Sequence, residues 1–285
     1  MFLIEHTALA KTKMLLIPEK IAVPSHAPRI TRPRLLAILA TSAESCTSTV
    51  VSGRAGTGKT ALAIDFARSC GRSVAWYKVD ASDIELPVFL RYLVSSIEQQ
   101  RPGFGERTLA ALADPIADYP AAPADLFVYE LLEYEGNPLL IVLEDLHLVC
   151  EGEWLVPFLC RLLPLLPRKV HILITSRTLP PAPLWRMRSK QTLELIDEAI
   201  LAFTRPEAFE LFETYGLSAE LTRAAYDRSR GRASSLTAYA IALSTSDIVE
   251  VNDFGEFDRT SVLDKRESLR IDSLAWRGED EPSRA

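Results

Sequence analysis

Gly53-Arg54-Ala55-Gly56-Thr57-Gly58-Lys59-Thr60 follows the β-branched run Thr47–Ser52 and leads into a helix of good formers from Lys59 to Cys70, closed by Gly71. The eight residues complete the pattern G-x-x-x-x-G-K-[ST]. Its glycines let the backbone curl so that successive N–H groups point inward, forming an anion nest at the start of a helix. The Lys59 ammonium is then placed for the β- and γ-phosphates of a nucleotide and the Thr60 hydroxyl for Mg²⁺. Gly53 through Ala61 are accordingly candidate nucleotide-binding residues. A tight glycine turn without a ligand is the competing reading, and a strand before and a helix after the loop argue against it.

Outward from the loop, apolar runs alternate with helical patterns. Ser73–Val79, Leu139–Leu143, Val170–Thr175 and Gln191–Ile196 read as further strands, and Leu139–Leu143 is apolar throughout, as in a strand covered on both faces. Between them, segments near Arg34–Ala40, Leu86–Gln100, Asp125–Glu135 and Trp154–Leu165 read as helices, with a Pro/Ala-rich loop around Asp114–Pro123. Such alternation predicts an α/β fold, a parallel five-stranded sheet flanked by helices. After Asp197 the strands stop. Pro206–Thr214, Ala219–Ser229 and Ser234–Ser244 predict a small all-helical subdomain. The expected organisation is an extension and lead-in over 1–30, a nucleotide-binding domain over 31–197, the helical subdomain over 198–245 and an acidic, disordered tail over 246–285.

Two further positions carry chemistry. The strand Leu139–Leu143 ends in Glu144-Asp145. In a phosphate-loop sheet the first acid of such a pair holds the magnesium shell, and the second orients or deprotonates the attacking water. Glu144 stands where aspartate is usual and is one methylene longer. Two helix-capping acids are the alternative. Arg177 follows the strand that ends in Thr175-Ser176, at the sheet edge where ligands bind, and is placed to sense a γ-phosphate. A surface arginine is the alternative there.

Composition narrows the field. The chain has 285 residues, 48% of them hydrophobic and 25% charged, with a net charge of −6, which argues against a protein that coats nucleic acid. Eleven acids and six bases fall within 246–285, so the remaining body is nearly neutral. Cys46, Cys70, Cys150 and Cys160 lack metal-ligand spacing and are expected as buried or half-buried thiols in a reducing compartment. No run approaches the ~18 apolar residues of a membrane span, and the N-terminal apolar run is too short for a secretory signal, so no membrane contact and a cytoplasmic location are expected.

From Met14 to Ser244 the chain resembles the ATPase region of MalT-type transcription activators, a branch of the signal-transduction ATPases with numerous domains (STAND). The residues that carry the resemblance are the Met14–Lys20 start with Arg32-Pro33-Arg34, the phosphate loop, Ala75–Asp80 with Asp83, and Phe89–Leu93. They continue with Glu144-Asp145-Leu146-His147-Leu148, Thr175-Ser176-Arg177, Leu201–Thr204 with Glu207-Ala208, and Gly231-Arg232-Ala233. The resemblance implies that ATP or ADP binds with Mg²⁺ and that the helical subdomain closes over the adenine side. Ile30, Thr31 and Arg32 would then lie against the base. Gly231 and Ala233 match a glycine-x-proline position, with Ala in place of Pro. Trp76 and Tyr77 are expected in the core or at the sheet edge. Family members cycle between an ADP-bound resting form and an ATP-bound oligomer. They also continue into winged-helix, sensor and often helix-turn-helix domains, which Asp247–Ala285 cannot form. The expectation is an excised module or a stand-alone ATPase whose sensor and output lie on other chains, without direct DNA binding.

The leading functional expectation is a weak ATPase switch that associates with itself or a partner according to its nucleotide. A binding-only nucleotide module is the alternative. A small-molecule kinase is disfavoured by the lack of a short arginine-rich lid, and a DNA-transposition helper by the charge balance.

Overall fold

The computed structural model describes residues 15–112, 120–190 and 192–245. Five parallel strands form one sheet: β1 (Ser48–Ser52), β2 (Ser73–Lys78), β3 (Leu139–Glu144), β4 (Val170–Ser176) and β5 (Leu193–Ile196), in the order β2-β3-β4-β1-β5. β1, β3 and β4 are buried along their whole length, which accounts for their uninterrupted apolar and β-branched sequences. Side-chain alternation divides the core. Trp76, Leu140, Val142 and Leu173 pack beneath helices α1 (Pro33–Ser45) and α2 (Lys59–Ser69). Tyr77, Ile141, Leu143 and Ile172 pack on the opposite face, with α3 (Leu86–Glu98), α5 (Ala121–Leu132) and α6 (Leu155–Leu162). Between α3 and α5 lies the short α4 (Glu106–Ala111), whose first turn is capped by the buried Glu130 carboxylate, an acceptor for the N–H groups of Gly105, Arg107 and Thr108.

Most strands fall within a residue or two of the sequence reading; the helix ends differ more. α5 begins at Ala121, inside the stretch expected to be loop. Pro123 is tolerated there because first-turn N–H groups have no intrahelical acceptor. Residues 113–119 and Gln191 lie outside the described residues, as do 1–14 and the expected tail at 246–285. α1 runs on to Ser45, five residues past the expected end. α6 stops at Leu162 and tightens into a 3-10 turn at Leu163–Leu165. Cys150 is exposed rather than buried, at the end of the 3-10 turn Leu146–Val149, while the other three thiols are half-buried.

α7 (Ala182–Trp185) lies between β4 and β5, and after β5 come α8 (Glu198–Leu201), α9 (Arg205–Glu213), α10 (Ala219–Ser229) and α11 (Ala233–Ser244). The described residues up to Ser244 belong to one compact unit. Asp197 caps α8 through Ile200 N–H, and Thr204 and Glu207 close a capping box on α9. Ahead of α1, a strap pins itself to the sheet edge. Lys20 Nζ donates to both Asp83 oxygens at 2.7 and 2.8 Å and lies over the Tyr92 ring, and Arg68 donates to the carbonyls of Pro24 and Ser25.

At the N-terminal edge of the sheet, polar groups form a closed chain. Nδ1 of the fully buried His171 lies 3.1 Å from Cys46 O, so it carries the proton, and Nε2 accepts from Thr49 Oγ1 at 2.9 Å. Thr49 Oγ1 in turn accepts from Ser42 Oγ at 2.6 Å.

Candidate nucleotide-binding site

The loop between β1 and α2 turns at Gly56 (φ +76°) and Gly58 (φ +90°), where a side chain would strain the backbone. α2 begins at Lys59 without a side-chain cap, so its N-terminal N–H groups are available to an anion. Lys59 is buried, and its ammonium donates to Gly53 O at 2.6 Å and Arg54 O at 3.0 Å. Carbonyls hydrogen-bond the charge without neutralising it. Burial lowers the Lys59 pKa, Asp145 opposes that and Arg177 adds to it. A phosphate anion therefore fits the donor set.

Thr60 Oγ1 donates to Glu144 Oε1 at 2.6 Å. Strand parity explains the meeting: Leu140, Val142 and Glu144 alternate onto the α1/α2 face of β3, and Thr60 opens α2. Trp76, on the same face of β2, donates its indole N–H to Glu144 Oε2 at 3.3 Å. Trp76 and Tyr77 are both buried core residues as expected, but Trp76 also fixes the acid. Thr60 and Glu144 are the residues that would hold Mg²⁺, whose preference for hard oxygen ligands they meet.

Asp145 leaves the strand in the left-handed region (φ 58°, ψ 37°), and its N–H is held by Thr175 Oγ1 of β4 at 3.0 Å. Its carboxylate acts electrostatically on the Lys59 charge. Arg177 is exposed just past β4 and acts electrostatically on both Lys59 and His147. The expected cluster of Lys59, Thr60, Glu144, Asp145 and Arg177 thus gathers at one end of the sheet.

The expected closing residues divide. Arg32 is buried, donates to Leu201 O at 2.7 Å and lies over the Phe203 ring; burial pulls its pKa down to about 10. Its guanidinium also lies 3.2 Å from where a Gly58 Cβ would stand, and Ala233 lies 3.4 Å from the same point. Thr31 Oγ1 donates to Asp65, and Ile30 is half-buried two residues before Arg32. Gly231 (φ +78°) instead faces Phe203, whose N–H donates to Gly231 O at 2.8 Å, and a Cβ there would collide with the Phe203 backbone.

Several contacts had no local signal in the sequence. The Ser234 N–H donates to Gly56 O and Arg232 to Ala55 O, both at 2.8 Å, so the start of α11 rests on the loop. Glu198 accepts from the Arg54 N–H at 3.1 Å and from its guanidinium at 2.7 Å, and these bonds hold its pKa down to about 2. Each contact spans well over a hundred residues of chain, beyond the reach of any spacing rule.

Residues 31–175 match the family model described as AAA ATPase domain. The HTH-type transcriptional regulator MalT of Serratia proteamaculans is 32% identical over 202 residues, 70% of this chain, and that of Yersinia enterocolitica is 31% identical over 201. The chain spans 22% of the length of these curated relatives. Among solved structures, a STAND protein with a tetratricopeptide repeat sensor from Pyrococcus horikoshii superposes with a TM-score of 0.58 at 16% identity, over 87% of this chain and 34% of that one. A Walker-type ATPase of Pyrococcus abyssi gives 0.52 at 13% identity, over 88% and 78%. Both structural likenesses concern the fold. No described helix is long and apolar enough to cross a membrane. The chain belongs to the AAA ATPase domain family, as a P-loop ATPase domain of the MalT-type STAND kind.

Proposed function

We propose that this chain is a switch module that binds Mg-ATP and hydrolyses it slowly, in signalling or transcription regulation. The observation that carries the reading is the 2.6 Å bond between Thr60 and Glu144 beside the buried Lys59, which brings the metal-binding hydroxyl, its acid and the phosphate-binding cation together. Lys59 and the amides of Gly53–Ala61 bind the phosphates. Asp145 governs the attacking water, and Arg177 reads the γ-phosphate. Bound Mg²⁺ supplies charge neutralisation to the transferring group. Residues 31–197 carry the nucleotide, and 198–245 report on it from the adenine side, with Arg32, Ile30, Gly231 and Ala233 at the junction. Self-association or a separate sensor or output protein reads the state, in the cytoplasm and without direct DNA contact. The net charge of −6 supports the last point.

A binding-only module is the second reading. It is favoured by the protein contacts of Glu144, each of whose oxygens already accepts a hydrogen bond, from Thr60 and from Trp76. Calorimetric titration with ATP and ADP tests the shared part. Lys59→Ala is expected to cost at least tenfold in affinity, about 1.4 kcal/mol, and unchanged binding would remove the phosphate-loop assignment. Single-turnover hydrolysis by the parent chain separates the two readings.

A further inference from the structure

α3 runs into the turn Arg101-Pro102-Gly103-Phe104-Gly105, which leans on its glycines. Gly103 (φ +84°) and Gly105 (φ +96°) are left-handed, and a Cβ on Gly105 would collide with Val94. Phe104 is buried edge-on against Phe127, and its N–H donates to Arg101 O at 3.1 Å. The turn thereby fixes Arg101, whose side chain is buried at 3% exposure. Nη2 makes one long bond, 3.4 Å to Asn137 O, and the Tyr134 ring lies over the guanidinium at 4.2 Å. Nη1 is buried with no hydrogen-bond partner.

A buried arginine is normally paired with a carboxylate. Two acids line the same pocket, and both are committed elsewhere. Glu130 accepts from the N–H groups of Gly105, Arg107 and Thr108, and Glu133 pairs with Arg107 Nη1 at 3.0 Å. A third, Glu106, is exposed at the rim. Burial pulls the Arg101 pKa down, and Tyr134 rather than a carboxylate opposes it. A charge desolvated without a counter-ion is costly, and the cost is recovered when an anion arrives. The surroundings select that anion. Three glutamates disfavour a doubly charged phosphate, whereas one free Nη1 suits one carboxylate. The pocket holds about 200 Å³, less than the roughly 300–1,000 Å³ of sites that enclose a whole small molecule. Beside it, Tyr129 and Leu132 are 52% and 60% exposed and share a face of α5 with Glu133.

We infer that this pocket receives an acidic side chain of a partner protein, its carboxylate accepting from Arg101 Nη1 while an apolar neighbour covers Tyr129 and Leu132. Tyr134 turns outward to admit it. None of the residues involved belongs to the nucleotide site, so the inference stands apart from the hydrolytic reading.

The test titrates the full chain, ¹⁵N-labelled at arginine and glycine, with three probes: the peptide acetyl-Leu-Glu-Leu-amide, its glutamine counterpart, and propionate. The acidic peptide should move the Arg101 side-chain and Gly103 amide resonances. The glutamine peptide should need at least about tenfold more for the same shift, having lost the charge. Propionate should also need at least about tenfold more, having no apolar neighbours to bury. Equal responses to the two peptides overturn the inference, as does no response to the acidic peptide at about 20 mM. An equal response to propionate overturns the assignment to a partner protein. In Arg101→Leu the response to the acidic peptide should vanish, with ATP affinity unchanged within about twofold. The melting temperature should not drop, because an uncompensated buried charge has been removed. A response that survives in Arg101→Leu overturns the inference too. The comparison of peptides is made on the parent chain, so it decides even where the variant does not fold.

Discussion

The two ends of the sheet treat histidine in opposite ways. At the N-terminal edge, His171 closes a chain from Ser42 through Thr49 to the Cys46 carbonyl, with every polar atom named in that chain paired. At the C-terminal edge, His147 has neither nitrogen paired, Asp145 occupies a left-handed conformation, and Lys59 rests on carbonyls of its own loop. One scaffold thus carries a polar network complete in itself beside one left incomplete. Incompleteness costs stability and is kept where a ligand or water supplies the missing partner.

Asp145→Asn gives the largest expected contrast between the ends. It keeps the size of the side chain and one acceptor oxygen but removes the charge. Single-turnover hydrolysis should fall 10²–10⁴-fold, about 3–5 kcal/mol of barrier. ATP affinity should barely change, because the loss is felt in the transition state. Equal hydrolysis by parent and variant would shift the water-activating role to Glu144.

The opposite edge should respond in stability and leave nucleotide affinity alone. His171 has its pKa lowered to about 4 by burial, against an ordinary value of 6.5. Protonation therefore favours the unfolded chain. The His171 contribution is fully present above pH ~6.5 and is lost as the pH falls towards ~4, by about 3 kcal/mol in all. His171→Leu strands the Thr49 hydroxyl and the Cys46 carbonyl and should cost about 2–3 kcal/mol at neutral pH. Urea unfolding of both proteins across that pH window checks it: the stability difference between them should shrink on acidification. A constant difference would mean that His171 does not stay neutral in the folded protein.

The smallest effect expected belongs to Arg177, which is exposed at the rim of the incomplete end. Arg177→Ala should weaken ATP up to tenfold more than ADP, about 1.4 kcal/mol or less. Equal losses for both nucleotides would return Arg177 to the role of a surface arginine.

These ends were not equally legible in the sequence. The loop and its helix follow from local spacing, and Thr60 and Glu144 each stand out as metal candidates, but their direct bond spans 84 residues and is seen only in the fold. The Thr204–Glu207 capping box was equally local. Ser234 on Gly56 and Glu198 on Arg54 depend on where the chain returns after the sheet, so no periodicity announces them. His147 was visible only as a residue in a family motif. Its lack of partners is a property of the packed end and cannot be seen in the letters. The start of α5 departs from the sequence expectation because proline signals a loop, whereas the first helical turn accepts it.

The strap ahead of α1 has a mechanical consequence. Tension on the chain before Leu15 reaches the Lys20–Asp83 pair and the Arg68 bonds to Pro24 and Ser25 before it reaches Arg32 above Gly58. These anchors lie in series along the strap, so a pull must detach them one after another. The phosphate loop is thereby shielded from forces transmitted along its own polypeptide, and whatever is attached upstream can tug without distorting the glycines that shape the site.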